Sequence, residues 1–188
     1  LADRSLQGIL ATVLLGRLVR SEAGLASDPA FQADDGSPLI AAGEAFYDGN
    51  SQGGIMGGAA TAVSTEWTKA VLGVPGMNYS TLLRRSVDFV GDPGEPSFDD
   101  VLVPSYPDPV DQNLLYGLIQ MLWDRGEMNG YAAHLTDDPL PGTPAHTVLL
   151  HVAFGDHQVA QVTAEVAART AGIPLRWPAL ADGRHPDE

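Results

Sequence analysis

The sequence contains no cysteine and few basic residues, and both shortages limit its possible functions. In 188 residues there are 24 Asp and Glu against 10 Lys and Arg, a formal net charge of −14. Such an acidic surface repels phosphate backbones and anionic lipid, which argues against nucleic-acid and membrane-surface roles. Without cysteine there is no disulfide framework, no thiolate zinc site and no thiol nucleophile. The compartment stays open between secreted and cytoplasmic.

Long hydrophobic runs are also missing from the sequence. No segment approaches ~18 uninterrupted apolar residues, so no membrane span is predicted. The hydrophobic fraction of 44% is nevertheless too high for a disordered acidic chain, and the length suits one folded domain. The stretch Leu6–Val19 is interrupted by Gln7 and Arg17, so we interpret it as a buried amphipathic helix and not as a signal peptide.

The pattern of apolar residues predicts alternating helices and strands. Helices are predicted at Leu6–Arg20, from Gly53 to about Ser64, at Pro109–Gly126 and at Val159–Ala171. Strands are predicted at Ala45–Asp48, Lys69–Val74, Thr147–Phe154 and Leu175–Leu180, the third as a fully buried parallel strand. This order predicts an α/β fold with a parallel sheet flanked by helices.

Residues 77–145 have a different composition from the rest of the chain. Proline is frequent there, and acidic residues cluster at Asp92–Asp111. We expect an inserted lid, which leaves residues 1–76 and 146–188 as the α/β core. The alternative is a long crossover connection that packs on the sheet.

The most informative motif is a G-x-S-x-G sequence between a predicted strand and a predicted helix, at Gly49-Asn50-Ser51-Gln52-Gly53. A serine on so sharp a turn has a strained backbone, and glycine two positions away on either side avoids clashes. The turn would also place the Gln52 N–H at a helix N-terminus, where it can stabilise an oxyanion. In a chain with 21 glycines, an ordinary turn is the alternative.

More glycines follow the motif, at Gly54, Gly57 and Gly58. Glycines at this spacing leave one helix face bare, so the helix can lie close to the sheet. A flexible loop or a phosphate-binding loop would be the alternatives. The alanine-rich sequence that follows argues against the first, and the lack of a Gly-Lys-Ser/Thr sequence argues against the second.

A nucleophilic serine requires a general base and an acid that orients it. Asp156 directly follows the third predicted strand, although capping of the next helix is an alternative role. His185 follows the last predicted strand and is our candidate base; an exposed tail residue is its alternative. Of the other histidines, we expect His151 in the core and His134 and His146 in solvent. His157 adjoins Asp156 along a turn and is a weak candidate.

These motifs resemble the second half of an α/β-hydrolase-fold serine hydrolase of the carboxylesterase or lipase type. The matching residues are Tyr47–Gly54, Val74–Gly76, Gly155, Asp156 and His185, and the resemblance covers roughly Leu6 to His185. It implies Ser51 as nucleophile, His185 as base, Asp156 as orienting acid and Gln52 N–H as one oxyanion donor. It implies an acyl-enzyme intermediate and no metal or organic cofactor.

The sequence departs from that family before the serine. Only one predicted helix, a loop and one strand precede Ser51, and the HGGG-type motif that supplies a second oxyanion donor is absent. The helix that normally covers the sheet after the base is also missing. The strand at Ala45–Asp48 would then be an apolar edge. We therefore expect half of the fold, completed by a missing N-terminal segment or by a homo-oligomer.

The function expected from these features is hydrolysis of small-molecule or polymeric carboxylic esters. Aromatic residues in the 77–145 segment could line the substrate pocket, or could simply pack within that segment: Tyr79, Phe98, Tyr106, Tyr116 and Trp123. Two alternatives remain open. One is a peptidase or amidase that uses the same triad, and the other is a non-catalytic hydrolase-like binding module.

Overall fold

The computed structural model describes residues 2–91, 94, 96–176 and 178. Its strands are β1 (Tyr47–Asn50), β2 (Lys69–Gly73) and β3 (Thr147–His151). Its helices are α1 (Ala2–Arg20), α2 (Gln52–Ala62), α3 (Tyr79–Leu82), α4 (Val87–Val90), α5 (Phe98–Ser105), α6 (Pro109–Trp123) and α7 (Gln161–Thr170). Short 3-10 turns lie at Leu25–Ser27, Pro29–Phe31, Leu83–Arg85, Met128–Gly130 and Ala132–His134.

The three strands form one parallel sheet in the order β1-β2-β3. Residues Asn50, Gly73 and His151 stand in one row across the sheet, so all three strands end at the same edge. Helix α2 connects β1 to β2, and residues 74–146 connect β2 to β3. A mixed α/β fold with a parallel sheet is therefore confirmed. The predicted strand at Ala45–Asp48 begins and ends two residues later in the structure.

Only one face of this sheet is buried within the described residues. On that face Ala70 and Leu72 of β2 join a core that includes Ala62 of α2, Ala167 of α7 and Met128. On the other face the side chains of Asp48, Lys69, Leu149 and His151 are exposed. The prediction of a fully buried third strand was wrong, because the two faces of β3 alternate between half-buried and exposed, as in a sheet with one open face.

Helix α1 buries a different face from the one that the leucine pattern suggests. Ile9 is buried against Trp67 and α2, and a Cβ on Gly16 would overlap the Trp67 ring. The buried carboxylate of Glu66 accepts a hydrogen bond from Arg17 at 3.0 Å and lies 3.6 Å from Arg20. Four leucines that recur at helical spacing in the predicted buried helix are instead exposed: Leu6, Leu10, Leu14 and Leu18.

Helix α6 also leaves most of its leucines outside the core. Its buried side chains are Gln112, Tyr116, Gln120 and Trp123, and of these Tyr116 and Trp123 share a cluster with Leu102 of α5. Three leucines of this helix are exposed: Leu114, Leu118 and Leu122. Leu115 and Ile119 are half-buried and pack against the cluster that contains Leu102, so only part of the apolar face is covered by the described residues.

Residues 77–145 consist of two parts that pack differently. The first part contains α3 to α6 and has its own aromatic cluster around Tyr116. The second part, from Met128 to Leu135, is buried in the main core against β2 and α7. The segment therefore combines an outlying helical layer with a connection that packs on the sheet.

The predicted final strand, Leu175–Leu180, begins at two described residues that belong to no strand. Apart from Pro178, its other residues lie outside the described part of the chain. Within the described ranges, none of the helices has the length and apolar character needed to cross a membrane.

Candidate active site

The backbone of Ser51 is strained at the turn between β1 and α2. Its φ is 57° and its ψ is −117°, a combination that residues with a Cβ rarely adopt. The next strand ends in the same way, because Val74 directly after β2 has φ 38°. Among the described residues these are the two non-glycine positions with positive φ. Backbone strain of this kind costs about 1–3 kcal/mol per residue and is concentrated at functional sites.

The glycines of the motif have unequal steric roles. A Cβ on Gly49 would stand 2.5 Å from the Gly53 carbonyl oxygen and 2.6 Å from the Tyr47 hydroxyl, so glycine is required there. A Cβ on Gly53 would meet only the Tyr47 hydroxyl at 3.9 Å, which is ordinary contact. The expected steric need for glycine therefore holds before Ser51 and not after it. The Tyr47 hydroxyl secures the turn by donating to the Gly53 carbonyl at 2.7 Å.

The turn places Ser51 and Gln52 where a substrate can reach them. Both residues are exposed, as is Asn50. The Ser51 amide donates to the Gly73 carbonyl of β2 at 2.9 Å, which extends the ladder one residue beyond β1. Gln52 is the first residue of α2, so its N–H belongs to the first turn, where N–H groups lack an intrahelical acceptor. This N–H can therefore bind an anionic oxygen.

Asp156 lies at the same edge of the sheet, five residues after the end of β3. One of its carboxylate oxygens accepts from the backbone N–H groups of Gln158 at 2.7 Å and Val159 at 2.9 Å. These bonds close a turn ahead of α7, whose own N-cap is Ala160, so Asp156 does not cap the helix directly. Neighbouring strands are ~4.8 Å apart, which separates the ends of β1 and β3 by roughly 10 Å.

The predicted base, His185, lies outside the described residues. Two other histidines stand near the carboxyl edge: His151 ends β3 and is exposed, and His157 is exposed in the turn after Asp156. The prediction that His151 belongs to the core was wrong, because its side chain lies on the open face of the sheet.

His146 was also predicted wrongly, since it is buried and not in solvent. Its Nε2 lies 3.2 Å from the Ser64 carbonyl, just after α2, while its buried Nδ1 has no hydrogen-bond partner among the described residues. Burial lowers the pKa of this imidazole from its ordinary 6.5. His134 is partly exposed beside Asp138, as expected.

A polar network, exposed at Gln52 and buried at Glu127, joins the motif to the 77–145 segment. The Gln52 side-chain amide donates to the Tyr79 hydroxyl at 2.7 Å. The backbone N–H of Tyr79 donates to the carboxylate of Glu127 at 3.0 Å, and the Gln120 amide donates to the same oxygen at 2.6 Å. Glu127 is fully buried, and burial raises the pKa of its carboxyl. Sequence reasoning missed Glu127 and Gln120, because no local pattern marks an acid as buried.

The aromatic residues predicted for a substrate pocket do not all lie together. The rings of Tyr79 and Trp123 are 5.5 Å apart, with Trp123 buried in the α5–α6 cluster beside Tyr116. Tyr106 is exposed in an apolar groove of 440 Å³, together with Phe98 and Val101. Neither Tyr79 nor Trp123 lines that groove. Of these five aromatics, Tyr79 is the one that the structure connects to the residue after Ser51.

Potential metal ligands are not gathered anywhere in the described ranges, where no three His, Asp or Glu side chains form a group that could hold an ion. Comparisons with protein-family models, with curated proteins and with solved structures find no match to this chain.

Proposed function

We propose that the protein is a serine hydrolase of carboxylic esters with an α/β-hydrolase-like core. The observation that carries the proposal is the backbone of Ser51, which is strained at a turn from a parallel strand into a buried helix. Strain at an exposed serine is hard to explain structurally, because a glycine would fit the same turn at lower cost. The turn exposes Ser51 at the start of α2, where the N–H of Gln52 has no intrahelical acceptor.

In this mechanism the Ser51 oxygen attacks the ester carbonyl carbon while His185 accepts the serine proton. The tetrahedral oxyanion is stabilised by the Gln52 N–H, and Asp156 orients the imidazole. The carbon–oxygen bond of the ester then breaks, and His185 returns the proton to the departing alcohol. Water then attacks the acyl-serine while His185 accepts its proton. The bond to the Ser51 oxygen breaks, and His185 returns the proton to that oxygen, which releases the carboxylic acid and frees Ser51.

The charge and position of Asp156 support its role in this proposal. Two backbone N–H groups hold one carboxylate oxygen, which leaves the second oxygen able to accept from an imidazole. The position of Asp156 in the chain also supports this role, because Ser51 follows β1 and Asp156 follows β3, the two strands that pair with β2. A single oxyanion donor would make the enzyme slow, since one donor contributes roughly 3 kcal/mol to transition-state stabilisation.

The first test is turnover of p-nitrophenyl butanoate by the wild type and by Ser51→Ala. We expect a loss of kcat of about 10⁴-fold or more in the variant, because the nucleophile is removed. His185→Ala should lose a similar factor. His151→Ala and His157→Ala are matched controls at the same sheet edge and should keep their activity. Full turnover by Ser51→Ala would refute the proposal.

Labelling with a fluorophosphonate distinguishes an enzyme from a binding module. Stoichiometric modification of Ser51, located by peptide mass, is expected of an activated serine. An unlabelled, folded protein would favour the non-catalytic module. A matched p-nitroanilide substrate tests the peptidase or amidase alternative, which we expect to be cleaved more slowly than the ester.

A further inference from the structure

Tyr79 offers a hydrogen-bond donor beside the side chain of Gln52. Its oxygen accepts a hydrogen bond from the side-chain amide of Gln52, the residue that follows Ser51. The hydroxyl hydrogen is not used in that bond and can be donated to a third group. Burial raises the pKa of this phenol above its ordinary 10, so the hydroxyl keeps its proton across the neutral and mildly alkaline range.

The backbone of Tyr79 is held in position by buried side chains of the 77–145 segment. Glu127 accepts the Tyr79 backbone N–H at 3.0 Å, and Gln120 accepts the Ser80 backbone N–H at 3.0 Å. The ring of Trp123 packs against the Tyr79 ring. Two consecutive backbone amides are thereby held by two buried side chains, which also bond to each other.

Glu127 is an unusual residue for a purely structural position. Its carboxylate is fully buried, and its bonds come from neutral donors: the Tyr79 and Asn129 backbone N–H groups and the Gln120 amide. A buried carboxylate is costly even when hydrogen-bonded, whereas a satisfied polar network fixes one arrangement of the groups that it joins. The arrangement fixed here is that of Tyr79.

We propose that Tyr79 is a specificity-determining residue of the candidate active site, and that Glu127 is the positioning residue that holds it. A substrate bound at Ser51 lies beside the Gln52 side chain and the Tyr79 hydroxyl. This polar pair favours esters that carry a further oxygen acceptor, such as an ether, hydroxyl or second carbonyl, close to the scissile carbonyl. The inference rests on the proposed ester hydrolysis and adds its substrate class.

The test compares two esters of nearly the same shape, p-nitrophenyl methoxyacetate and p-nitrophenyl butanoate. The first has an ether oxygen where the second has a methylene. The quantity measured is the ratio of their kcat/KM values, taken for the wild type and for Tyr79→Phe. Intrinsic reactivity of the two esters cancels when this ratio is compared between variants.

We expect Tyr79→Phe to lower the ratio about fivefold to tenfold, the range for loss of one neutral hydrogen bond. Tyr131→Phe is the matched control, since the Tyr131 hydroxyl donates to the Arg125 carbonyl and does not contact the motif. It should leave the ratio unchanged. An unchanged ratio in Tyr79→Phe overturns the inference, while Ser51-dependent turnover of both esters would still support the proposed function.

Variants of Glu127 test the positioning role. Glu127→Leu should lower the ratio by a similar factor and raise KM for the methoxyacetate more than for the butanoate. Glu127→Gln retains an acceptor oxygen and should restore most of the preference. Equal losses for both esters in Glu127→Leu would assign it a structural role only and would contradict the positioning role. If neither ester shows Ser51-dependent turnover by the wild type, the proposed function and this inference both fail.

Discussion

Helices α2 and α6 differ in burial in a way that their leucine content does not predict. Helix α2 contains mostly glycine and alanine, yet eight of its residues are buried: Gly54, Ile55, Gly57, Gly58, Ala59, Ala60, Thr61 and Ala62. Helix α6 is rich in leucine, yet Leu114 and Leu118 are 64% and 63% exposed. The helix of small residues lies at the centre of the fold, and the leucine-rich one lies at its surface.

The difference arises from how closely each helix can approach its neighbours. A Cβ on Gly57 would overlap the Tyr47 ring, and a Cβ on Gly58 would stand 2.5 Å from Met128. Glycine at these positions lets the backbone of α2 pack closely against both β1 and the 3-10 turn at Met128–Gly130. Helix α6 is instead oriented by Gln120, Tyr116 and Trp123, which contact α3 and α5. Contact distance governs the first helix, and specific polar and aromatic contacts govern the second.

The largest expected effect comes from removing leucine from the two regions. Leu72, on which the α2 side of the core packs, is fully buried, so Leu72→Ala should lower the free energy of unfolding by about 3 kcal/mol. Leu118→Ala on α6 should change it by less than about 0.5 kcal/mol. Urea denaturation measures both. A large cost for Leu118→Ala would show that the leucine face of α6 is covered.

Glycine-to-alanine substitutions should change the stability of the protein in opposite directions in the two helices. A Cβ on Gly54 would collide with the Gly73 carbonyl, a backbone atom that cannot easily move, so Gly54→Ala should destabilise by about 2 kcal/mol. Gly117 in α6 has open space around its Cβ position. Gly117→Ala should therefore stabilise by about 0.5–1 kcal/mol through helix propensity. Thermal melts of the pair check the sign, and two destabilised variants would contradict the comparison.

A smaller, pH-dependent effect is expected where α2 ends. His146 is held neutral by burial near Ser64, so its pKa is lower in the folded than in the unfolded protein. The unfolded chain therefore binds more protons once the pH falls below about 6.5, and stability declines from there towards the lower native pKa. Glu127 acts with the opposite sign, because burial raises its pKa.

The contribution of His146 is isolated by comparing variants. The stability of His146→Gln should fall less steeply than that of the wild type as the pH is lowered from 7 to 5. His157→Gln, at an exposed position, should follow the wild type. Urea midpoints at several pH values measure the three curves, and parallel curves for His146→Gln and the wild type would contradict the prediction.

The sequence predicts the elements of this fold better than it predicts their faces. The strands at Lys69–Gly73 and Thr147–His151 and most helices follow from local patterns, since periodicity and turn residues act within a few positions. The faces of α1 and α6 depend on distant partners such as Trp67 and Leu102. No periodic pattern can reveal whether a leucine stripe has a neighbour to cover it.

The candidate site shows the same division. The strained turn at Ser51 and the placement of Asp156 at the same edge follow from glycine spacing and strand order, both of which the sequence contains. Glu127 reaches Tyr79 across 48 residues of sequence, and Gln120 reaches Ser80 across 40. Such contacts depend on the packing of residues 77–145, where proline-rich sequence provides few periodic signals.

The backbone of Ser51 has a consequence for any attempt to stabilise this protein. Glycine would adopt φ 57° without the penalty that a Cβ imposes, so the serine lowers the stability of the fold in which it stands. A search for thermostable variants that selects for folding alone would select against the nucleophile of the proposed reaction. Stability and activity are therefore opposed at this residue, and a useful screen must select for both.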